Sequence, residues 1–365
     1  MAKVTIQPAF WFGKRVFITG HTGFVGTWLT LFLQELGAIV TGYSLNIPTQ
    51  PSLFEVTNLR SSVETIEANI CNFKTLFSTI KTYKPEIIFH LAAQPLVVDS
   101  YKSPLETYTT NVLGTLNLLE VIRQLGRETA IVNMTSDKCY ENISSSTGYT
   151  EKDPLGGRDP YSSSKACSEL ITRAYRESFF PVKKNSEPAI SLCSMRAGNI
   201  IGGGDWAEHR LIPDFVRALK SGSTLLIRYP DAVRPWQYIF DVIYGFLLLA
   251  EKLSRSDGKV SEAWNIGPDP VLHWSVEEVV KFIAEHWDSD VNWEIGKGKN
   301  VKEEILLTLD NSKARKYLGW RPLWDTNNAL KETVNWYKCY YYNPDKIISY
   351  TRNQIESFLE RISSS

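Results

Sequence analysis

The sequence predicts an α/β fold, in which a doubly wound parallel sheet is joined to a smaller mixed α/β C-terminal lobe. Three observations predict it: a strand that passes through a glycine turn into a helix at residues 15–36, apolar strands that alternate with helices up to residue 195, and a loss of that alternation afterwards. Alternating strands and helices form parallel sheets with right-handed crossovers, and ligands bind outside the carboxyl ends of such strands. We therefore expect the functional residues at those strand ends.

Size and charge exclude several functional classes. The 365 residues are too many for one minimal domain, and 40 basic against 40 acidic residues leave no net field that would recruit nucleic acid or a membrane surface. No stretch approaches the ~20 apolar residues of a membrane span, and the first residues lack the apolar core of a secretory signal. The five scattered cysteines have no spacing suited to zinc, so we expect no metal site and a reducing, cytoplasmic location.

The organising motif is a glycine turn between Arg15–Thr19, a short β-branched run, and Trp28–Leu36, whose apolar residues have helical spacing. Gly20, Gly23 and Gly26 give GxxGxxG between strand and helix, a context typical of a Rossmann-type dinucleotide-binding fold. The first glycine permits a tight turn, the second a close approach to a pyrophosphate, and the third close packing of helix on strand. The diphosphate would lie at the positive end of the helix dipole. A plain strand–turn–helix with coincidental glycines is the alternative. The expected cofactor contacts here are Gly20, Thr22, Gly23, Phe24, Val25 and Gly26.

The second predicted strand, Ile39–Ser44, ends where a dinucleotide fold places the residue that meets the adenosine ribose. That residue is usually an Asp or Glu ~20 residues beyond the glycines, which bonds the ribose hydroxyls and repels a 2′-phosphate. This sequence offers Ser44 and Asn46 instead. Asn46 is able to hydrogen-bond a ribose but has no charge with which to exclude NADP, so both NAD and NADP stay open.

A helix over Leu76–Tyr83 and a buried strand over Glu86–Ala92 complete a βαβαβ pattern. Small residues at the end of this strand would let a flat cofactor approach the backbone, although ordinary packing of a strand on a helix needs them too. The expected cofactor contacts are Leu91, Ala92, Ala93 and Gln94.

The next strand, Ala130–Met134, follows an amphipathic helix over residues 111–126 that Gly126 is expected to cap. A hydroxyl, a carboxylate and an amine at the tip of a central parallel strand are typical of an active site, although a polar loop has the same composition. The residues directly after the strand are Thr135, Ser136, Asp137, Lys138 and Tyr140.

A YSSSK segment opens the following helix, which runs towards Glu177. Tyr161 and Lys165 are four residues apart and share one helical face, so the ammonium can act on the phenol or on a shared ligand. YxxxK alone is common by chance, but here it follows a strand-borne glycine motif and, ~25 residues earlier, Ser136. The sequence therefore predicts that Ser136, Tyr161 and Lys165 act together.

Beyond Ile190–Met195, the last strand of the series, the elements no longer repeat the βαβ unit. We expect a helix over Leu211–Leu219, a short strand over Leu225–Arg228 and a helix over Ser275–His286. The predicted organisation is a Rossmann domain over residues 1–195 to which segments near 235–265 return, a substrate-binding lobe over most of 196–340, and a C-terminal tail helix over 341–365. The tail is expected to lie on the surface and to fray at its end.

Seven motifs occur in one order along the chain: GHTGFVG, HLAAQPLV, TSDKCY, DPYSSSK, RAGNIIGGGDW, LIPD and RPWQ. With them the sequence, from about Phe10 to about Trp336, resembles the extended short-chain dehydrogenase/reductase family, and within it the nucleotide-sugar 4,6-dehydratases. The resemblance implies NAD across the sheet and a nucleoside diphosphate sugar, CDP-glucose, in the cleft between the lobes. It also implies a homodimer, or a dimer of dimers, paired through the helices over residues 111–126 and 161–177.

The resemblance implies a reaction as well: C4 of the sugar is oxidised, water is eliminated across C5 and C6, and hydride returns to C6. Tyr161 corresponds to the base, Lys165 to the residue that lowers its pKa and holds the nicotinamide ribose, and Ser136 to the hydroxyl on the sugar O4. Asp137 corresponds to the acid at O6, which must be held protonated. Lys138 corresponds to the base at C5, or else to a group that polarises the C4 ketone or orients Asp137. Substrate contacts are implied for Gln94, Ser136, Asn199, Arg210 and Arg234, and further cofactor contacts for Ser44, Asn46, Asn69, Ile70, Tyr161 and Lys165.

The sequence departs from the family pattern at several positions. Asn46 stands where an Asp is common, and the family's GDIRD reads ANICN at residues 68–72, so two carboxylates near the adenosine are lost. Val98 replaces a common Arg and Tyr238 a common His, and we expect both changes to reshape the sugar or phosphate pocket.

Two alternatives stay open. A sugar-nucleotide epimerase or reductase on the same scaffold would need no acid at O6, and the Asp137–Lys138 pair favours the dehydratase over it. A non-catalytic NAD-binding protein would fit the altered cofactor contacts, and the intact Ser136, Tyr161 and Lys165 favour the dehydratase over that one.

Overall fold

The structure, a computed structural model, describes residues 6–143, 148–180, 190–255, 260–269, 274–287, 289, 291–296 and 307–364. The strands are, in chain order, β1 (Arg15–Thr19), β2 (Ile39–Ser44), β3 (Glu64–Glu67), β4 (Ile87–His90), β5 (Thr129–Met134), β6 (Ile190–Arg196), β7 (Ile200–Ile201), β8 (Leu225–Ile227), β9 (Val233–Arg234), β10 (Gln237–Tyr238), β11 (Ala263–Asn265), β12 (Trp274–Ser275) and β13 (Trp293–Ile295).

The α-helices are α1 (Pro8–Trp11), α2 (Phe24–Glu35), α3 (Leu53–Val56), α4 (Phe73–Tyr83), α5 (Val97–Lys102), α6 (Pro104–Tyr108), α7 (Gly114–Leu125), α8 (Pro160–Ser178), α9 (Leu211–Ser221), α10 (Ile239–Arg255), α11 (Val276–Trp287), α12 (Thr326–Tyr342) and α13 (Ile347–Ser364). Short 3₁₀ turns lie at Leu59–Ser61, Asp137–Cys139 and Pro344–Lys346, and π-helical turns at Thr109–Leu113 and Ala314–Leu318.

Seven parallel strands form the central sheet, in the order β11-β6-β5-β4-β1-β2-β3. One face packs against α2 and α10, and the other packs against α4, α7 and α8. The strand order reverses between β1 and β4, where sheets of this type bind ligands beyond the carboxyl ends of the strands. The doubly wound parallel sheet expected from the sequence is confirmed.

Helices on both faces explain why the central strands are apolar throughout. All four residues of β4 are buried, and β4 is shorter than the strand over residues 86–92 that the sequence predicts. At its start the Glu86 carboxylate forms an ion pair with Lys14 (2.8 Å) at the surface. At its end the Leu91 amide donates to the main-chain oxygen of Thr19 in β1 (3.0 Å), and the amides of Leu91 and Ala92 also lie 3.1 and 3.2 Å from the Thr19 hydroxyl.

The edge strand β3 is absent from the sequence-based description. Its four residues, Glu64–Glu67, are exposed or half-buried and include two glutamates, so they show no apolar run. Charged side chains are common on edge strands because they discourage pairing with other chains. Pattern alone therefore gives no signal for this strand.

The chain returns to the sheet after residue 196. Helix α10 packs against the sheet with most of its residues buried, and β11 then pairs in parallel with β6 at the edge. The remaining pieces, including α9, α11 and the β8–β13 pair, form the lobe above the carboxyl ends. The domain boundaries given above stay a prediction.

The C-terminal helix α13 is amphipathic, with one face exposed and the other packed on the core. Phe358 of α13 is 1% exposed, and its ring packs against Phe32 of α2 (5.9 Å between centroids) and Phe240 of α10 (5.3 Å). Aromatic rings in such contacts stabilise beyond the area that they bury. The last helix is therefore part of the core on this face of the sheet.

A buried carboxylate in α10 fixes the segment that leads to α12. Asp241 is 1% exposed, and its side-chain oxygens accept hydrogen bonds from the amides of Leu323 (2.8 Å) and Trp324 (3.4 Å). Its main-chain oxygen accepts the indole N–H of Trp320 (3.1 Å). Burial raises the pKa of Asp241 to about 7, against the lowering effect of the two amides and of Arg361.

This raised pKa predicts a pH-dependent stability. Between the ordinary value of 3.8 and about 7 the folded protein holds a proton that the unfolded chain releases, so the stability contributed by Asp241 falls as the pH rises through this window. Asp241→Asn carries no ionisable proton and should reduce the fall in unfolding free energy between about pH 5 and about pH 7 by roughly 2–3 kcal/mol. Urea denaturation at both pH values measures it. The exposed Asp325→Asn is the matched control, and an equal slope in both variants would contradict the assignment.

Candidate functional site

One cavity of about 1750 Å³ extends along the carboxyl ends of the central strands and into the lobe. It exceeds the roughly 300–1,000 Å³ of a single small-molecule site, which leaves room for two large ligands side by side. Every site residue expected from the sequence lines it: Gly20, Thr22, Gly23, Phe24, Val25, Gly26, Ser44, Asn46, Asn69, Ile70, Leu91, Ala92, Ala93, Gln94, Ser136, Asp137, Lys138, Tyr161, Lys165, Asn199, Arg210 and Arg234. Their individual roles stay predictions.

The glycine turn has the geometry that a dinucleotide diphosphate requires. Gly20 has φ +76°, and a Cβ there would lie 2.8 Å from the amide nitrogen of Ala92. A Cβ on Gly26 would lie 2.2 Å from the Gly20 carbonyl oxygen, so both positions need glycine. Gly23 is the N-cap of α2, whose first amides have no partners within the helix. Close backbone approach beside a helix N-terminus is the setting that fits NAD.

The side chain of His21 fills the space between the glycine turn and β2. The buried His21 lies 2.8 Å (Nδ1) from the Ser44 hydroxyl and 3.1 Å (Nε2) from the Thr65 hydroxyl. Its ring occupies the space beside Gly42, where a Cβ would be 2.1 Å from the ring. Burial and the nearby Arg60 lower the pKa of His21 to about 4, so the imidazole is neutral at pH 7.

The end of β2 holds the loop that follows it. The Ser44 hydroxyl accepts the Thr22 amide (3.3 Å), and the Thr22 hydroxyl donates to the main-chain oxygen of Asn46 (2.6 Å). The Asn46 residue itself is exposed at the rim of the cavity. The position usually held by a ribose-binding carboxylate thus carries only neutral groups.

Hydrogen bonds to Asn69 hold the chain that follows β3. The Asn69 side chain accepts the Cys71 amide (2.8 Å), and its main-chain oxygen accepts the Tyr43 hydroxyl (3.0 Å). Ile70 is buried against Gly114, where a Cβ would lie 2.7 Å from the isoleucine. Ile70 therefore gives this rim of the cavity an apolar side chain.

The segment after β4 is fixed by α6, by the π-helical turn that follows α6, and through that turn by α8. The Gln94 amide donates to the side-chain oxygen of Asn111 (2.8 Å), whose amide group donates to the Gln94 carbonyl (3.1 Å) and to Ser164 of α8 (2.8 Å). The Gln94 side chain in turn binds Thr107 (2.9 Å) and the Leu96 amide (2.5 Å). These bonds hold the backbone of residues 91–94 along the cavity wall.

Ser136, Asp137 and Lys138 follow β5 in a 3₁₀ turn. The Ser136 hydroxyl donates to Oδ1 of Asp137 (2.9 Å) and accepts the Lys138 amide (3.2 Å). Oδ2 of Asp137 is buried and has no hydrogen-bond partner among the residues that the structure describes. Burial raises the pKa of Asp137, while Lys138, Ser136 and Arg234 oppose the rise. A carboxyl in this setting favours its protonated form.

Gly198 is required beside this carboxyl. A Cβ on Gly198 would lie 2.0 Å from Oδ2 and 2.1 Å from Cγ of Asp137. The backbone after β6 therefore passes directly over the acid and shields it from water. The RAGN motif showed this glycine, but sequence alone did not connect it with Asp137.

Tyr161 and Lys165 both lie in buried settings on α8. Burial raises the pKa of Tyr161 to about 12, while its hydrogen bond with Ser136 and the positive charge of Arg210 lower it. Burial lowers the pKa of Lys165 to about 8, so its ammonium form holds at pH 7. Lys165 donates to the main-chain oxygen of Met134 (3.3 Å). Ser136 and Arg210 therefore lower the pKa of the phenol in this structure, and the role of Lys165 towards the phenol stays a prediction.

A buried ion pair supports α8 from behind. The Glu169 carboxylate accepts Arg196 (2.8 Å), Ser194 (2.8 Å) and Thr135 (2.5 Å). Arg196 also donates to the Tyr140 hydroxyl (2.7 Å), and Tyr140 donates to Asn265 of β11 (2.6 Å). Both charged side chains are under 5% exposed. Arg196 is therefore a structural residue, although it adjoins the expected substrate contacts.

Three of the expected substrate contacts, Asn199, Arg210 and Arg234, follow β6 in the chain and line the cavity. Arg210 forms an ion pair with Asp205 (2.8 Å) and is 32% exposed. Arg234 is 7% exposed, donates to the Val233 oxygen (3.1 Å), and its positive charge reaches Asp137. Asn199 has φ +43° at the turn after β6. Both guanidinium groups line the cavity, and such groups suit a diphosphate, which each can bind in a bidentate manner.

Of the two departures expected to reshape the pocket, only one lies there. Val98 lines the cavity. Tyr238 is buried in the core, with its ring against Phe240 (4.8 Å) and Trp324 (5.8 Å). The expectation for Tyr238 is therefore wrong, because an aromatic ring at this position fills the space between α10 and the segment before α12.

Two features are absent from the part of the chain that the structure describes. No group of three or more His, Cys, Asp or Glu side chains among them is placed to hold a metal ion. No helix among them has the length and apolar character needed to cross a membrane.

Known proteins are similar to this chain over most of its length. A family model described as GDP-mannose 4,6 dehydratase matches residues 17–333. Over 354 residues the chain is 46% identical to the CDP-glucose 4,6-dehydratase of Salmonella typhimurium, and the alignment covers 97% of this chain and 98% of that protein.

Solved structures of low identity have the same fold. The dTDP-glucose 4,6-dehydratase of Streptomyces venezuelae, solved with NAD bound, has a TM-score of 0.74 at 25% identity and covers 90% of this chain and 99% of its own. The UDP-glucose 4-epimerase of Thermotoga maritima has a TM-score of 0.74 at 24% identity, with 89% and 98% covered. An epimerase and a dehydratase thus match equally well in fold, and the fold does not distinguish their reactions.

The contact between Gly198 and Asp137 gives a testable prediction. Gly198→Ala should displace the carboxyl by about 1 Å or more and lower turnover of a nucleotide sugar by ~100-fold. The double variant Gly198→Ala/Asp137→Gly removes the clash, so its melting temperature should return towards that of the wild type while turnover stays lost. Calorimetry and a product assay measure the two effects, and full turnover in the single variant would contradict the packing described.

Proposed function

The chain belongs to the GDP-mannose 4,6 dehydratase family, and on that premise we propose that it is a hydro-lyase, a CDP-glucose 4,6-dehydratase that forms CDP-4-keto-6-deoxyglucose with a bound NAD. The 46% identity over nearly the full length of the Salmonella typhimurium enzyme supports this substrate. We place the product in deoxysugar biosynthesis.

The observation that carries the proposal is the state of Asp137. Elimination of the C6 hydroxyl as water needs an acid at O6, whereas epimerisation at C4 does not. Asp137 is buried, has one carboxyl oxygen without a partner among the described residues, and has a raised pKa. A protonated carboxyl facing a sugar site is the group that a dehydratase requires.

The first step belongs to Tyr161, which removes the proton of the C4 hydroxyl. Its pKa near 12 makes it a weak base alone, so the neighbouring charges must stabilise the phenolate. Ser136 and Arg210 each lower the pKa of the Tyr161 phenol, and Lys165 adds an ammonium on the same helical face. Bound NAD supplies the hydride acceptor at C4 and the hydride donor at C6.

The second step belongs to the turn after β5. The C4 ketone acidifies the proton at C5, a base removes that proton, and Asp137 protonates the departing C6 hydroxyl. Lys138 is our candidate for the base, because it adjoins Asp137 in the same turn and lines the cavity. Asn199, Arg210 and Arg234 hold the nucleotide sugar, with the two arginines on its diphosphate.

We further propose a cytoplasmic homodimer paired through α7 and α8. Leu105, Leu113 and Leu170, which lie on or next to these helices, are 80%, 42% and 54% exposed in the single chain. Apolar side chains at such exposure favour coverage by another protein surface. All five cysteines are free thiols, which fits a reducing compartment.

One assay tests the proposal against both alternatives. The purified protein is incubated with CDP-, dTDP-, UDP- and GDP-glucose, and products are followed by mass spectrometry. We expect CDP-glucose to lose one water, with deuterium from C4 appearing at C6. An isomer of unchanged mass would indicate an epimerase, and bound cofactor without turnover would indicate a binding protein.

Tyr161→Phe removes only the phenolic oxygen. We expect turnover to fall by at least ~1,000-fold, because proton removal from the C4 hydroxyl loses its base, while the melting temperature changes little. Product formation measures it. Wild-type turnover in this variant would remove Tyr161 from the mechanism.

Asp137→Asn separates the two steps. Asparagine cannot donate a proton to O6, so oxidation at C4 should proceed while water loss stops. The expected signature is an enzyme-bound absorbance near 340 nm that appears on addition of CDP-glucose and persists. Continued water loss at the wild-type rate would contradict the role given to Asp137.

A further inference from the structure

The segment over residues 202–210 joins the cofactor side of the cavity to the C-terminal helices. The Gly203 oxygen accepts the indole N–H of Trp28 in α2 (2.9 Å), and a Cβ on Gly203 would lie 2.1 Å from the ring of Trp336 in α12. Trp206 packs edge-on against Trp336 (5.5 Å) and Tyr340 (5.0 Å). The segment is therefore held on both sides by aromatic side chains.

Asp205 is the polar centre of this segment. Its side chain is 7% exposed, Oδ1 accepts the Ala207 amide (3.0 Å), and Oδ2 accepts Nη1 of Arg210 (2.8 Å). Its main-chain oxygen accepts the hydroxyl of Tyr337 in α12. Both carboxylate oxygens and the backbone are thus engaged, so the carboxylate has one orientation.

Arg210 depends on this carboxylate for its own orientation. The guanidinium has five N–H donors; the bond to Asp205 uses one, and the rest of the fork faces a cavity whose lining includes Tyr161. Arg210 also contributes to the electrostatics of Tyr161, since its charge lowers the pKa of that phenol. The position of Arg210 therefore affects both the proposed diphosphate contact and the phenol of Tyr161.

We propose that Asp205 is a positioning residue, which acts through Arg210 and sets the affinity for the diphosphate of the nucleotide substrate. This inference rests on the proposed function in that Arg210 is taken as a substrate contact. The carboxylate keeps the guanidinium aimed into the cavity before substrate arrives, which removes part of the ordering cost of binding. The aromatic cluster of α12, which contributes no residue to the lining, thereby supports the substrate site.

Asp205→Asn changes this arrangement at constant size. If the asparagine oxygen keeps the Ala207 amide, its NH₂ group faces the donors of Arg210, and two donors repel. We expect KM for CDP-glucose to rise ~10-fold, because the diphosphate contact is weakened in substrate and transition state alike. The fall in kcat should be smaller, ~2–5-fold, because Arg210 also supports the phenolate of Tyr161. A purely structural role would lower the melting temperature and the fraction of active protein instead.

A double-mutant cycle with Arg210→Met distinguishes a positioning role of Asp205 from a purely structural one. CDP is titrated by calorimetry into the wild type, both single variants and the double variant; Glu262→Gln, which breaks a surface ion pair with Lys313, is the control. If Asp205 acts through Arg210, each single variant binds CDP more weakly, and the double variant binds no more weakly than Arg210→Met. Additive losses, or unchanged affinity in Asp205→Asn, overturn the inference.

The same measurements distinguish this failure from that of the proposed function. Water loss from CDP-glucose by the wild type with additive CDP affinities would refute the role of Asp205 alone. Absence of water loss with a non-additive cycle would refute the dehydratase and leave the role of Asp205 in place.

Discussion

The catalytic wall of the cavity depends on one buried ion pair, between Glu169 of α8 and Arg196 of β6. Two charges removed from water destabilise a fold unless each is paired and hydrogen-bonded, and here the carboxylate has three donors at 2.5–2.8 Å. Glu169 lies one helical turn after Lys165, and Thr135, which donates to it, directly precedes Ser136. The pair therefore fixes α8 relative to the end of β5, and with them the residues proposed to exchange protons with the sugar.

Burial acts in one direction on three groups of this site. It raises the pKa of Asp137, raises that of Tyr161 to about 12 and lowers that of Lys165 to about 8. Each shift favours the uncharged form, as expected where water is excluded. The acid and the phenol thus hold protons, while the amine gives its proton up more easily than a free lysine. The shifts move the pKa values of Asp137 and Lys165 towards neutral pH and that of Tyr161 away from it, so the phenol depends most on its neighbours to act as a base.

Most features that depend on a local sequence pattern could be predicted from the sequence. The strand ends, the glycine turn and the YSSSK helix are where the sequence places them, because buried parallel strands and phosphate-binding turns constrain residue type over short distances. Features that depend on tertiary packing gave no such signal. His21 fits beside Gly42, Gly198 covers Asp137, and Asp205 meets Arg210 only once the chain is folded.

Tyr238 and β3 illustrate the limits of analogy and of pattern. A position that commonly carries histidine in relatives was expected to face the pocket, but the larger ring of Tyr238 fills a gap between α10 and the segment before α12. The strand Glu64–Glu67 has no apolar run because it lies at an edge. In both cases burial, rather than residue identity, decides what the side chain does.

The pairing of β11 with β6 has a consequence for how the chain acquires its structure. Residues 197–262 separate the two strands, so as the chain leaves the ribosome one border of the sheet stays open until that whole stretch has been made. An open border of buried strands is prone to associate with other chains. Fragments that stop near residue 195 should therefore precipitate, and workable truncations of this protein must extend past Asn265.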